Sequence, residues 1–511
     1  MRKTFQLVLG GAALVLATQN ALAADWFGLP LPTGLSDPDQ PVLIIGTDFA
    51  PLPVVYPPGV QRKTELQGEK IFESVKQITG FSKASRARGE KLWGRIAGMP
   101  ALLETNEWVA AQFRNAGIAQ VGVEQHTGSL TIPTGWSVTV HGPGPDIVLQ
   151  SSMPIRTSPS ISGTLNAPLV FVGAGSSAEM AGKSVQGKVA VIHKKPNPGL
   201  FFARFSLTDL IAAQPAAILV TIELPGNMMS QDSCASGNIP CFYLGGADGQ
   251  FLEAALAAVD RTGAAQLTAS VQLTMTTYPS AVVSNAYAFI PGMNNRRDRR
   301  GENIMISAHA DAWFDGAGDN ADGLAVLVAL ARHYSQPQNR LSRDLVLVAT
   351  SGHHTIGGGG VFLTKHPEFA SKTVFLLNLE HVAQLLSAST TASLPASVAG
   401  YRPLTATPIE ETRAVGIVGA TPLITAAFGE AATLFQENVP MGFDPTAPGE
   451  IGQFGGLAGV PKAQIIHAGP FYHTSGDVYQ TISVPGLERA AHFFDYILHR
   501  IDAAPKSQLI P

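Results

Sequence analysis

Cysteine is nearly absent from this chain. Two are present in 511 residues, Cys234 and Cys241, so at most one disulfide can form. Charged residues are sparse (14%), and the formal charge of −4 leaves no basic footprint for nucleic acid or an anionic membrane surface. Beyond the N-terminus no stretch is long and apolar enough for a transmembrane helix. The 52 glycines and 36 prolines are scattered rather than periodic, which excludes collagen-like and repeat architectures.

What is present is an ordinary apolar content (45%) on a chain long enough to exceed a single core, so two or more domains are expected. Arg2 and Lys3 precede an apolar run from Leu7 to Ala17 and the triplet Ala21-Leu22-Ala23. That order predicts a signal peptide over 1–23 and an exported protein, periplasmic or secreted. In an oxidising compartment Cys234 and Cys241 are expected to close one short disulfide loop. Their spacing does not suit a metal pair, and no third ligand lies nearby.

The chain is organised around 304–334, IMISAHADAWFDGAGDNADGLAVLVALARHY. An apolar run reads as a buried strand that delivers His309 and Asp311 at its C-terminal end. A Gly-rich loop presents Asp319 and Asn320, and a helix follows from Asp322. Polar groups gathered where a strand stops mark the usual site of an open α/β sheet. Three further apolar runs end in reactive side chains: His353-His354, then Glu380-His381, then Tyr472-His473 with Asp477 beyond. Histidines beside a carboxylate able to bridge are what a pair of divalent cations requires. His381 is expected to turn away from the site by strand alternation.

Around this core, residues 24–150 read as a Pro-rich arm followed by helices and a strand. Residues 151–279 read as a β-rich insertion, and 280–511 as alternating strands and helices. The insertion, with GKVAVI, AAILV and IPCFYLGGADGQFL, resembles a protease-associated domain.

In order and spacing, AHAD, GAGDNADGLAVL, LVLVATSGHH, FLLNLEH and YHTSGDVYQTI resemble the zinc aminopeptidase family. That family includes co-catalytic two-zinc aminopeptidases, glutamate carboxypeptidase II and glutaminyl cyclases. The resemblance implies an α/β fold: a mixed open sheet flanked by helices, with the protease-associated domain inserted. It implies zinc, one or two ions, on His309, Asp319, His354, Glu380 and His473, with Asp319 bridging. Asp311 would orient His309, and Asp477 would support His473. Apart from the resemblance, Tyr472 reads either as a hydrogen-bond donor to an oxyanion or as packing beside His473.

One departure stands out. The family has Glu-Glu where this chain has His353-His354, the first Glu being the general base and the second a ligand. A histidine near neutral pH can serve as a base, which makes His353 the candidate. The expectation is an exported hydrolase using metal-activated water on a peptide, amide or ester substrate, with no nucleic acid or membrane partner. A single-zinc acyl-transfer enzyme like the glutaminyl cyclases, and a non-catalytic binding protein, remain open alternatives.

Overall fold

The computed structural model describes residues 26–32, 34–37, 52–196, 207–232, 234, 236–293, 295–389, 404–410, 414–437, 441–442, 449–466 and 469–510. The expected signal peptide lies outside them. Among the described residues no helix is long and apolar enough to cross a membrane.

The principal strands are β1 (Gln120–His141), β2 (Leu165–Phe171), β3 (Val189–Lys194), β4 (Ala217–Ile222), β5 (Cys241–Leu244), β6 (Thr268–Ile290), β7 (Asn303–His309), β8 (Asp344–Thr350), β9 (Thr373–Asn378), β10 (Ala414–Val418) and β11 (Lys462–Ile466). The longer helices are α1 (Gly68–Ala87), α2 (Pro100–Asn115), α3 (Gly246–Thr262), α4 (Asp322–Ser335), α5 (Gly359–Lys365), α6 (Pro422–Phe435) and α7 (Val484–Ala503).

At the centre β8, β7, β9 and β11 run parallel, with β6 antiparallel beside β8 and β10 antiparallel beside β11. Every residue of β7 is buried. A parallel strand covered on both faces reads as a continuous apolar run, which is why Ile304–Ile306 shows no alternation of polar and apolar residues. The two faces still separate by the two-residue period of a strand. Ile304 and Ile306 pack into the main core with Leu324 and Leu327 of α4. Met305 points the other way, into a cluster with Val346, Val348, Phe362, Leu376 and Phe454. Helices therefore cover both faces of a mixed sheet, as expected from the sequence. Truncating Ile306 to Ala in this core would cost about 2–5 kcal/mol.

The strands between 165 and 244 are knitted to the same sheet. β2, β3, β4 and β5 are mutually parallel, and β2 pairs with residues 268–271 of β6. Residues 286–290 of β6 pair with β8. One strand of 23 residues thus spans both sub-sheets, supported along its length by antiparallel β1. The expected boundary at 279/280 falls inside this strand.

The cysteine expectation needs correction. Cys234 and Cys241 are both buried and both free. They meet as interacting thiols in an apolar cluster with Ile155, Val220 and Met228. Burial, then the neighbouring Cys234, pushes the Cys241 thiol well above its ordinary pKa. A thiol kept protonated in this way is a poor nucleophile.

Candidate metal centre

The C-terminal ends of β7, β8 and β9 and the loop around His473 converge on Asp319. His309, the last residue of β7, brings Nε2 to 3.2 Å from Asp319 Oδ1 and 3.7 Å from Glu380 Oε1. On the other oxygen, Asp319 Oδ2 lies 3.3 Å from His354 Nε2 and 3.0 Å from His473 Nε2. Those two imidazole nitrogens are themselves 3.0 Å apart. Bonds of about 2.0–2.1 Å to a tetrahedral zinc place neighbouring donors about 3.3 Å from each other. The Asp319–His354–His473 triangle is close to one face of such a tetrahedron.

Buried polar atoms normally find partners. Here His309 Nε2 and both carboxylate oxygens of Asp319 are buried without a hydrogen-bond partner among the described residues. Apart from the His354–His473 contact, side chains have converged on Asp319 without giving its oxygens a hydrogen bond, which is what a set of metal donors looks like. The residues fit zinc.

Asp311 holds two of the rings. Its Oδ1 lies 2.9 Å from His309 Nδ1. Its Oδ2 accepts the backbone N–H of His354 at 3.0 Å and sits 3.2 Å from that ring's Nδ1. Such a close approach requires glycine at 352: the backbone there is left-handed (φ +88°), and a Cβ would fall 1.6 Å from Asp311 Oδ1.

Burial disfavours charge on every group here, yet the groups override it collectively. For His354, burial is outweighed by the carboxylates of Asp311 and Asp319, which raise its pKa to about 10. For Glu380, burial is outweighed by His309, which helps hold its carboxyl down at about 2. Asp319 is likewise held well below the carboxylate range, against burial, by His354 and His309. His473 is the exception; burial lowers its pKa.

The geometry departs from the sequence reading at three residues. His381 is turned inward, with Nε2 3.1 Å from Asp319 Oδ1. Strand alternation fails there because β9 ends at Asn378 and His381 has a left-handed backbone, φ +53°. Asp477 receives the backbone N–H groups of Gly318 and Asp319 at 2.8 and 3.0 Å, so it holds the loop bearing Asp319 rather than His473. His473 is tied to Gln231 instead, its carbonyl accepting the Gln231 N–H at 2.8 Å.

Two buried groups escaped the sequence reading. Arg95 is fully buried beneath the Asp311–Asp319 loop. It donates to the carbonyls of Ala310 (2.9 Å), Asp315 (2.6 Å) and Gly316 (3.0 Å) and to Ser82 Oγ (2.9 Å). Glu450 lies behind His353, its Oε2 3.3 Å from that ring's Nδ1. Neither carries a periodic or motif signal. A lone Arg in a two-residue strand and a lone Glu in an irregular segment read as solvated charges.

Tyr472 is half-buried, its ring stacked on that of His473 with centroids 3.6 Å apart. A cavity of about 120 Å³ opens beside the centre, lined by Arg156, Asp232, Trp313, His354 and His473 among others.

Residues 285–421 match the model for Peptidase family M28. Among solved structures the chain is similar to the aminopeptidase from Aneurinibacillus sp. strain AM-1, at 20% identity over 85% of this chain and 94% of that one, TM-score 0.53. It is similar to BSAP, a zinc aminopeptidase from Bacillus subtilis, at 16% identity over 88% and 99%, TM-score 0.58. A Peptidase M28 precursor from Shewanella amazonensis SB2B shares 15% identity over 87% and 99%, TM-score 0.62. No curated protein sequence matches the chain at a significant level. At such identities the solved structures establish the fold. The family match covers the segment bearing His309, Asp319, His354 and Glu380, so that segment is similar to Peptidase family M28, and the chain shares the fold of the aminopeptidases named above.

Proposed function

We propose that the protein is a zinc-dependent hydrolase acting on a peptide, amide or related acyl bond, with His309, Asp319, Glu380, His354 and His473 as ligands. The observation that carries this reading is the buried Asp319 carboxylate. Each of its oxygens faces a separate group of donors, and neither has a hydrogen bond of its own. Two donor groups sharing one carboxylate argue for two ions. Zinc held there would lower the pKa of water to about 7 and polarise the substrate carbonyl.

The chain's own residues do the rest. Asp311 keeps His309 and His354 in register, as metal-bound imidazoles need. His353 takes the proton from the attacking water and returns it to the leaving amine. The Tyr472 phenol, its pKa raised by burial and by Asp319 and Glu380, stays protonated and donates to the developing oxyanion. The small cavity beside His354 and His473 suits a side chain or a short peptide end. The basic-apolar-Ala-x-Ala N-terminus supports export, and residues 151–279 fit the role of a protease-associated insertion shaping access to the site.

The test is hydrolysis of a panel of aminoacyl anilides by the mature protein. Activity removed by a chelator and restored by zinc is expected. Hydrolysis unaffected by thorough chelation would contradict the proposal.

A further inference from the structure

Glu450 is a fully buried carboxylate outside the metal donor groups. It sits in a short helical turn, Gly449–Phe454. That turn packs directly on the centre: at Gly449 (φ +70°) a Cβ would lie 3.0 Å from Glu380 Oε1. One oxygen of Glu450, Oε1, accepts the Thr350 hydroxyl at 2.6 Å. Thr350 ends β8, three residues before His353. The other oxygen, Oε2, has no hydrogen bond and faces His353 Nδ1 at 3.3 Å.

A buried carboxylate requires partners; Thr350 serves Oε1, and the His353 ring is the group facing Oε2. The ring is oriented usefully for this. Its centroid lies 4.8 Å from that of His309, and it has a nitrogen within 4.8 Å of donor atoms on His309 and Glu380. One of its nitrogens belongs to the donor group with His309 and Glu380, while its side chain keeps 17% of its exposure. A carboxylate on one imidazole nitrogen fixes the tautomer and leaves the other nitrogen bare for proton transfer.

We propose that Glu450 is the positioning residue for His353, accepting Nδ1–H so that a bare Nε2 faces the reacting atoms. The inference rests on His353 as the base. It explains how histidine works where the family pattern has glutamate: the carboxylate stands one step back, behind an imidazole. In the step itself, Nε2 takes a proton from the attacking water, the imidazolium pairs with the Glu450 carboxylate, and the proton leaves on the amine.

The test compares the zinc-loaded wild type with Glu450→Gln, Glu450→Asp and His353→Gln. The readouts are zinc content, kcat, KM and the histidine ¹⁵N NMR tautomer signature, with the His353 signal assigned by its loss in His353→Gln. Expected in the wild type is an Nδ1-protonated His353. Expected for Glu450→Gln are unchanged zinc, KM within about twofold, kcat lower by about 10²–10³-fold and a shifted tautomer. Glu450→Asp should recover part of kcat. A wild-type His353 protonated on Nε2 overturns the inference, as does a kcat loss that tracks zinc loss. Full activity in His353→Gln would sink the base assignment itself. The wild-type tautomer would still decide separately whether Glu450 holds the ring.

Discussion

Asp311 reaches across 43 residues of sequence to hold His354 twice, accepting its backbone N–H at 3.0 Å and lying 3.2 Å from its Nδ1. The same carboxylate faces His309 with its other oxygen. One side chain thus sets the spacing between imidazoles from two different strands.

Replacing Asp311 with Asn should therefore damage metal binding without touching a ligand. An amide must turn an N–H₂ toward one of the groups that now donate to it. Zinc affinity should fall by about 10–100-fold, read by competition with a chromophoric chelator. Unchanged affinity would mean that the rings are held by something else.

Arg95 makes a second prediction. Arg95→Met keeps bulk but removes three donations to the loop carrying Asp311 and Asp319, and a fourth to Ser82 Oγ. Buried acceptors left without donors should cost about 3 kcal/mol or more in urea denaturation. Zinc content should fall with it.

The pH dependence of stability should show His492. It is buried between Phe435 and Tyr56, and burial lowers its pKa to about 4. The unfolded chain takes up that proton near pH 6.5, whereas the folded chain resists until about pH 4. Stability is therefore full above about pH 6.5 and declines as pH falls toward 4, by up to about 3 kcal/mol. His492→Gln should flatten that part of the curve relative to wild type.

Arg156 has no side-chain hydrogen bond or ion pair among the described residues, and it lines the cavity beside His354 and His473. Arg156→Ala should raise KM while leaving zinc content unchanged. A change in zinc content would place Arg156 in the support of the centre rather than in the cavity wall.

Much of the fold was legible because the central strands are buried on both faces. β7, β8, β9 and β11 announce themselves as apolar runs, and each run points at the side chains that follow it. His309, Asp319, His354, Glu380 and His473 do meet, because strand ends in a parallel sheet lie at one edge. His381 was misread because alternation holds only inside a strand. Arg95 and Glu450 were invisible because their partners are far away in sequence and their own segments are too short to carry a period. The two cysteines are neighbours, as their spacing suggested, but proximity did not determine their covalent state.

The most direct test is the zinc content per chain of the purified mature protein beside Asp319→Ala. A shared bridging carboxylate predicts about two zincs in the wild type and loss of both metal and hydrolysis in the variant. Full metal content and full activity in Asp319→Ala would contradict the account at its centre.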